Sequence, residues 1–249
     1  MYRHQGRERT MKDNLRIAIV LSFVAGIVNV TGFLYLKQLT TNVTGHFALF
    51  INDVANLEFW KGTVYFLYIF SFLLGSFFSS ILIELFKTNK RLNVYVIQVL
   101  IESLILISVS VLTSIVLYDY PDVIACLLLF SMGLQNSYVT KVSDAVVRTT
   151  HLTGLFTDLG IELSYLFFKK RYPSRAKIKA SIKLRIYIIS FFFIGGLFGG
   201  FVYSTLAFEM YTLMFGAGVL IANLLYDGIK FRISMINRRS FRKKLSIRK

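Results

Sequence analysis

Apolar residues run through this chain in blocks too long for a soluble fold. Six of them, Leu15 to Leu36, Gly62 to Phe86, Leu92 to Leu117, Val123 to Val142, Leu184 to Leu206 and Tyr211 to Ile229, reach the length of about 20 residues that a helix needs to cross a bilayer. Membrane-spanning strands would alternate apolar and polar positions over segments of about ten residues. The run Leu100-Ile101-Glu102-Ser103-Leu104-Ile105-Leu106-Ile107 does not alternate. The pattern predicts an all-α polytopic membrane protein with six transmembrane helices.

Two shorter segments, 40–57 and 149–168, open on nearly the same polar phrase, "TTNVTGHF" and "TTHLTGLF". If both crossed, the Lys87, Lys90 and Arg91 loop would fall outside and Asp119 and Asp122 inside, against the preference of Lys and Arg for the cytoplasmic side. If neither crosses fully, Lys87 to Arg91, Lys169 to Arg185 and both termini lie inside, with Asp119, Asp122 and Glu209 outside. The charge pattern therefore predicts re-entrant or broken helices at 40–57 and 149–168. A tilted or surface-lying helix is the plainer alternative.

The halves align in three places, in the same order. Gly26 to Asn29 matches Gly133 to Asn136, Thr40 to Gly45 matches Thr149 to Gly154, and Gly75 to Ser80 matches Gly195 to Gly200. Each half holds three spans, an odd number, so the second enters from the opposite face as a 3+3 inverted repeat. The expected organisation is a basic N-terminus at 1–14, a first repeat at 15–117, a second at 118–230 and a basic cytoplasmic tail at 231–249. Such repeats recur in secondary transporters, whose sites lie near the midplane among discontinuous helices. The small-residue clusters at Gly75 and Gly195 suit close packing between helices.

The stretches "FVAGIVNVTGF", "TNVTGH" and "GLQNSYV...RTTHLTGLFTDLG" resemble the YoaK family of bacterial integral membrane proteins of unassigned function, over nearly the whole chain apart from its tails. That resemblance implies membership and topology, with no activity or substrate attached. The family pattern has Asp at the place of Asn29 and Thr-Gly-Asn at Thr44-Gly45-His46, so proton handling at the first position does not carry over.

Composition agrees: 55% hydrophobic residues, a mean hydropathy of +0.60 and only 17% charged residues. The formal net charge of +16 is concentrated in Lys169 to Arg185 and Arg232 to Lys249. In a membrane chain these blocks serve orientation and anionic head groups, so anionic lipid is an expected partner and nucleic acid is not. One cysteine, Cys126, excludes an intramolecular disulfide. Neither a cofactor nor a metal site is expected, since His46 and His151 with Asp53 and Asp158 lack a metal-ligand spacing.

The repeated phrases carry the candidate chemistry. Hydroxyls, amides and imidazoles can satisfy backbone groups freed by a helix break, and glycine allows close approach. A solute site is therefore expected from Asn29, Thr40, Thr41, Asn42, Thr44, Gly45 and His46 with Asn136, Thr149, Thr150, His151, Thr153, Gly154 and Asp158. Ionisable groups within membrane segments are costly and face protein or water. Of Asp53, Glu84, Glu102, Asp144, Asp158, Glu162 and Asp227, those near span ends can snorkel, while Asp53, Glu102 and Glu162 are expected to couple cations or protons. The expected function is a small secondary transporter or channel of the bacterial cytoplasmic membrane for a small polar or ionic solute. A module binding a partner or anionic lipid is the alternative, with an intramembrane enzyme behind it. No P-loop, G-x-S-x-G or dinucleotide fingerprint is present, so the protein is not expected to be an enzyme. Small inverted-repeat proteins often dimerise, which makes a homodimer one candidate assembly.

Overall fold

The computed structural model describes residues 10–86, 94–116, 118–168 and 174–247, without the side chains of Val94 and most positions after Lys230. The elements are α1 (Met11–Leu36), α2 (Val43–Ala55), α3 (Phe59–Phe86), α4 (Val94–Thr113), α5 (Pro121–Ser143), α6 (Leu152–Tyr165), α7 (Arg175–Ser204) and α8 (Thr212–Ile247), with a 3-10 turn at Glu209–Tyr211. No strand occurs among the described residues. Six helices, α1, α3, α4, α5, α7 and α8, are long and apolar enough to cross a membrane. With 13 and 14 residues, α2 and α6 extend only about 20 Å.

Local chemistry sets the ends. Thr10 and Asp13 form a reciprocal cap on α1, and Pro121 opens α5, where its missing N–H costs no helical hydrogen bond. α1 and α5 both stop at a left-handed residue, Lys37 (φ 57°) and Asp144 (φ 55°). These stops fall the same distance after the aligned glycines Gly26 and Gly133, and after each the chain turns back.

Two helices depart from the expected bounds. α7 begins at Arg175, nine residues before the predicted Leu184, so Lys177, Lys179 and Lys183 stand on a helix. Buried Ile182 and Leu184 anchor its start, and long cationic side chains are good helix formers. α8 continues to Ile247 as a helix, past the apolar span that ends at Lys230 and through the residues expected as the basic tail. Lys87, Lys90 and Arg91, Lys169 to Arg171 and the side chains of most of the C-terminal block lie outside the described residues.

Side-chain pairs fix the helix directions. α1 and α7 run parallel, with Phe23 at Gly195, Ile27 at Gly199 and Val30 at Gly200. α3 and α5 do the same, with Tyr68 at Asp122, Ser76 at Gly133 and Glu84 at Lys141. α1 opposes α5, because Leu21 meets Gln135 while Leu36 packs on the Ala125 and Leu129 cluster. α1 also opposes α8: Arg16 pairs with Asp227, and Tyr35 lies within electrostatic reach of Asp119 and Glu209.

One motif makes both parallel crossings. A Cβ on Gly26 would lie 2.1 Å from the Phe192 carbonyl oxygen and one on Gly195 2.0 Å from that of Phe23; Gly75 and Gly133 stand likewise at 2.0 and 2.1 Å from the carbonyls of Phe130 and Phe72. In every case the sequence is Phe-x-x-Gly, and each glycine sits under the phenylalanine carbonyl of its partner. Only glycine leaves room, and the approach permits Cα–H···O contacts worth about 0.5–1 kcal/mol each.

Candidate functional site

The first repeated phrase is folded back along α1. Thr40 donates its hydroxyl to the Val28 carbonyl (3.1 Å) and packs where a Cβ on Gly32 would clash, while the Thr41 hydroxyl donates to Asn29 Oδ1 (2.7 Å). Val28 lies eight residues before the end of α1 at Leu36, or about 12 Å back along the helix. α2 thus starts well below the end of α1, with Asn42 capping it by accepting from the Gly45 N–H. His46 is buried in the first turns of α2. Its Nε2 donates to the Leu39 carbonyl at 2.6 Å, which fixes the tautomer, since a carbonyl only accepts. The ring stacks on Tyr65 and meets the edge of Tyr68, whose hydroxyl donates to Asp122 at the start of α5.

The second phrase folds back on α5 in the same sense. Gln135 Nε2 donates both to the Thr149 hydroxyl (2.9 Å) and to the Leu21 carbonyl of α1 (3.2 Å). Gln135 lies eight residues before the end of α5. Ser143 accepts from the Val147 N–H and so holds the turn that carries Thr149 inward. α6 then leads outward from His151, and a Cβ on Gly154 would meet the His151 ring at 2.5 Å.

The two phrases approach α1 from its opposite ends. The first phrase bonds α1 directly at Val28 and Asn29, and the second reaches it through Gln135, which bonds Leu21 about 12 Å further along. Near this stretch Ser22, Ser131 and Gln135 are fully buried, and the Ser22 and Ser131 hydroxyls and Gln135 Oε1 have no hydrogen-bond partner among the described residues. Apolar burial alone does not explain such groups, because each unsatisfied one costs about 1–3 kcal/mol. The core therefore holds a polar seam between α1, α5 and the two phrases.

The expected residues divide into those the fold brings to the seam and those it does not. Thr40 and Thr149 are fully buried there and Thr41 nearly so, with Asn29 and Thr150 half-buried. Asn136, aligned with Asn29, turns instead to the Met132 carbonyl of its own helix, and Gln135 takes the contact. Gln135 escaped the sequence reading because alignment by identical amides selects Asn136. Thr44, His151, Thr153 and Asp158 are exposed on the short helices.

The expected coupling carboxylates lie in three different settings. Glu162 and Asp158 are both bound by Arg185 of α7, at 2.9 and 3.0 Å from Nε and Nη2 to Glu162 and 2.9 Å from Nη1 to Asp158, with Ser181 adding a bond to Glu162. This cluster latches α6 onto α7. Asp53 closes α2 beside Gly62 of α3 and accepts from Asn52. Glu102 is fully buried in α4 and accepts from the Tyr138 hydroxyl at 3.0 Å. Neither Arg185 nor Tyr138 stands near its partner in sequence, which kept both out of the expected site.

Long apolar helices around a buried polar seam define a polytopic helical membrane protein. A family model described as "Protein of unknown function (DUF1275)" matches residues 17–226, and the chain belongs to that family. No curated protein and no solved structure matches it.

Proposed function

We propose that this protein is a small secondary transporter or channel for a small polar or ionic solute, built as a 3+3 inverted repeat with its site between the repeats. One observation carries the reading: the segments after α1 and α5 turn back by about 12 Å at opposite ends of α1, and each starts a short helix at depth. Discontinuous helices whose N-termini point inward are how inverted-repeat transporters form sites near the midplane. Irregular backbone at that depth is tolerated only where protein or a wet cavity satisfies it. The parallel crossings of α1 with α7 and α3 with α5, related by the repeat, support the same symmetry. In this reading α1, α4 and α7 run outward, both termini are cytoplasmic, and the resemblance to the YoaK family of bacterial membrane proteins agrees with a cytoplasmic-membrane location.

Thr41, Asn29, Gln135 and Thr149 are the groups we assign to the solute, with Ser22 and Ser131 beside them. Hydroxyls and amides at these positions suit a small polar solute that exchanges water for hydrogen bonds. The test is osmotic swelling of proteoliposomes in urea, glycerol and potassium acetate. Flux above protein-free vesicles is expected for at least one solute, with a drop of tenfold or more in Thr41→Val and Thr149→Val at unchanged expression. Equal flux in both variants and the parent would remove the seam as the path.

A second reading rests on α8, which continues to Ile247 past the last apolar stretch and carries Arg232, Arg238, Arg239, Arg242, Lys243 and Lys244. A cationic helix beside a membrane attracts anionic head groups. Loss of the cellular phenotype on deleting 232–249, with seam variants silent, would favour a lipid- or partner-binding module.

A further inference from the structure

Glu102 differs from the other carboxylates of the bundle in being fully buried with no cation bound to it among the described residues. Asp158 and Glu162 share Arg185, Glu84 pairs with Lys141, Asp227 pairs with Arg16, and Asp122 accepts from Tyr68. Glu102 is 0% exposed and has no ion-pair partner among the described residues; Oε2 accepts from Tyr138, and Oε1 has no hydrogen-bond partner. Its neighbours along α4 offer no positive charge. Gln98, one turn away, gives its Nε2 to the Ser79 carbonyl and leaves its own Oε1 unpartnered, while Ser103 donates to Val99.

The elements packed on α4 bring few cations among the described side chains. α5 carries Asp122, Cys126, Tyr138 and Lys141; α3 carries Tyr65, Tyr68, Glu84 and Lys61, the last paired with Glu58; α8 carries Tyr226, Asp227 and the exposed Lys230 among its described side chains; and the 3-10 turn carries Glu209 and Tyr211. Lys141 and Glu84 are engaged with each other, and Asp227 with Arg16. The buried Tyr95 of α4 itself is neutral as a phenol. A bare carboxylate in such surroundings carries a desolvation cost that no cation among the described residues offsets, whereas the protonated acid does not. The acid form also gains an O–H donor, with the unpartnered Gln98 Oε1 one turn away on the same helix face.

From these observations we infer that Glu102 is a reversible proton-binding site, exchanging its proton with water. Tyr138 donates to Glu102 in either state, and one turn earlier on α5 stands Gln135, the residue that holds Thr149 and Leu21. The proton site is thus wired to the seam through a single helix face. Its role as a coupling ion rests on the transport reading; its existence does not.

The test is infrared difference spectroscopy of the full chain in lipid nanodiscs across pH. A protonated-carboxyl stretch is expected at neutral pH, lost reversibly at alkaline pH and missing in Glu102→Gln. Tyr138→Phe should displace its frequency and move the titration upward, because the phenol bond to the carboxylate is gone. Identical spectra for the parent and Glu102→Gln at neutral pH would overturn the inference. So would a Glu102 band that never titrates while the protein stays folded, which marks a fixed structural acid. If Glu102→Gln does not fold, dicyclohexylcarbodiimide labelling of the parent, mapped by mass spectrometry, replaces it. An adduct on Glu102 that forms more slowly as pH rises supports the site, and no adduct at any pH overturns it. Intact swelling without a titrating Glu102 would remove the proton site alone, and a titrating Glu102 without flux would remove the transport reading alone.

Discussion

At the scale of single residues, Arg185 shows how one side chain decides the position of a whole segment. It binds Glu162 through two nitrogens and Asp158 through a third, a fork geometry that lysine cannot reproduce. Arg185→Ala leaves the part-buried Glu162 without its cation, and a group stranded in that way costs about 1–3 kcal/mol. The expected outcome is faster hydrogen exchange through α6 (Leu152–Tyr165), with α2 unchanged. Arg185→Lys should recover little of the protection, and full recovery would show that charge alone holds the latch. The first half solves the same problem without ions, by seating the buried His46 between Leu39 and the rings of Tyr65 and Tyr68. The repeated phrase made His46 and Asp158 visible as candidates. Their partners on α3 and α7 lie 19 to 27 residues away and depend on how each short helix docks.

At the scale of helices, the four Phe-x-x-Gly sites are the most sensitive positions in the bundle. A methyl at Gly26, Gly75, Gly133 or Gly195 would sit 2.0 to 2.1 Å from a main-chain oxygen, which cannot rotate away as a side chain can. Overpacking of a tight core costs about 1–3 kcal/mol, so Gly26→Ala and Gly133→Ala should each lower the Tm of the detergent-solubilised protein by several degrees. Gly218→Ala, with nothing within 4 Å of the added methyl, is the matching control and should be neutral or slightly stabilising. If all three behave alike, the crossings are not the close contacts described. Spans were legible in the sequence because hydropathy reports solvent. The continuation of α8 was not, and neither was the start of α7, where cationic residues read as loop until Ile182 and Leu184 between them are buried.

Across the whole molecule, the opposed placement of α2 and α6 predicts sidedness. In a Cys126→Ala background, Thr44→Cys should react with an impermeant thiol reagent only from the side of Asp119 and Glu209, and Thr153→Cys only from the side of Arg16 and Asp227; both replaced residues are exposed. Right-side-out and inverted vesicles distinguish the two. Reaction of both from one side would abolish the inverted arrangement and leave the basic α8 extension as the better guide to function.

Hydropathy, charge and the twice-written phrase were enough to determine an all-helical membrane chain with six spans and two short segments, because the cost of exposing polar backbone to lipid leaves so few alternatives. Only the tertiary structure decided which side chains of those segments reach inward. Gln135 rather than Asn136 meets Thr149, Arg185 rather than solvent neutralises Asp158 and Glu162, and Glu102 finds a phenol in place of a cation. Each of these contacts joins residues from different helices, and helix rotation about the Phe-x-x-Gly crossings sets which of them meet.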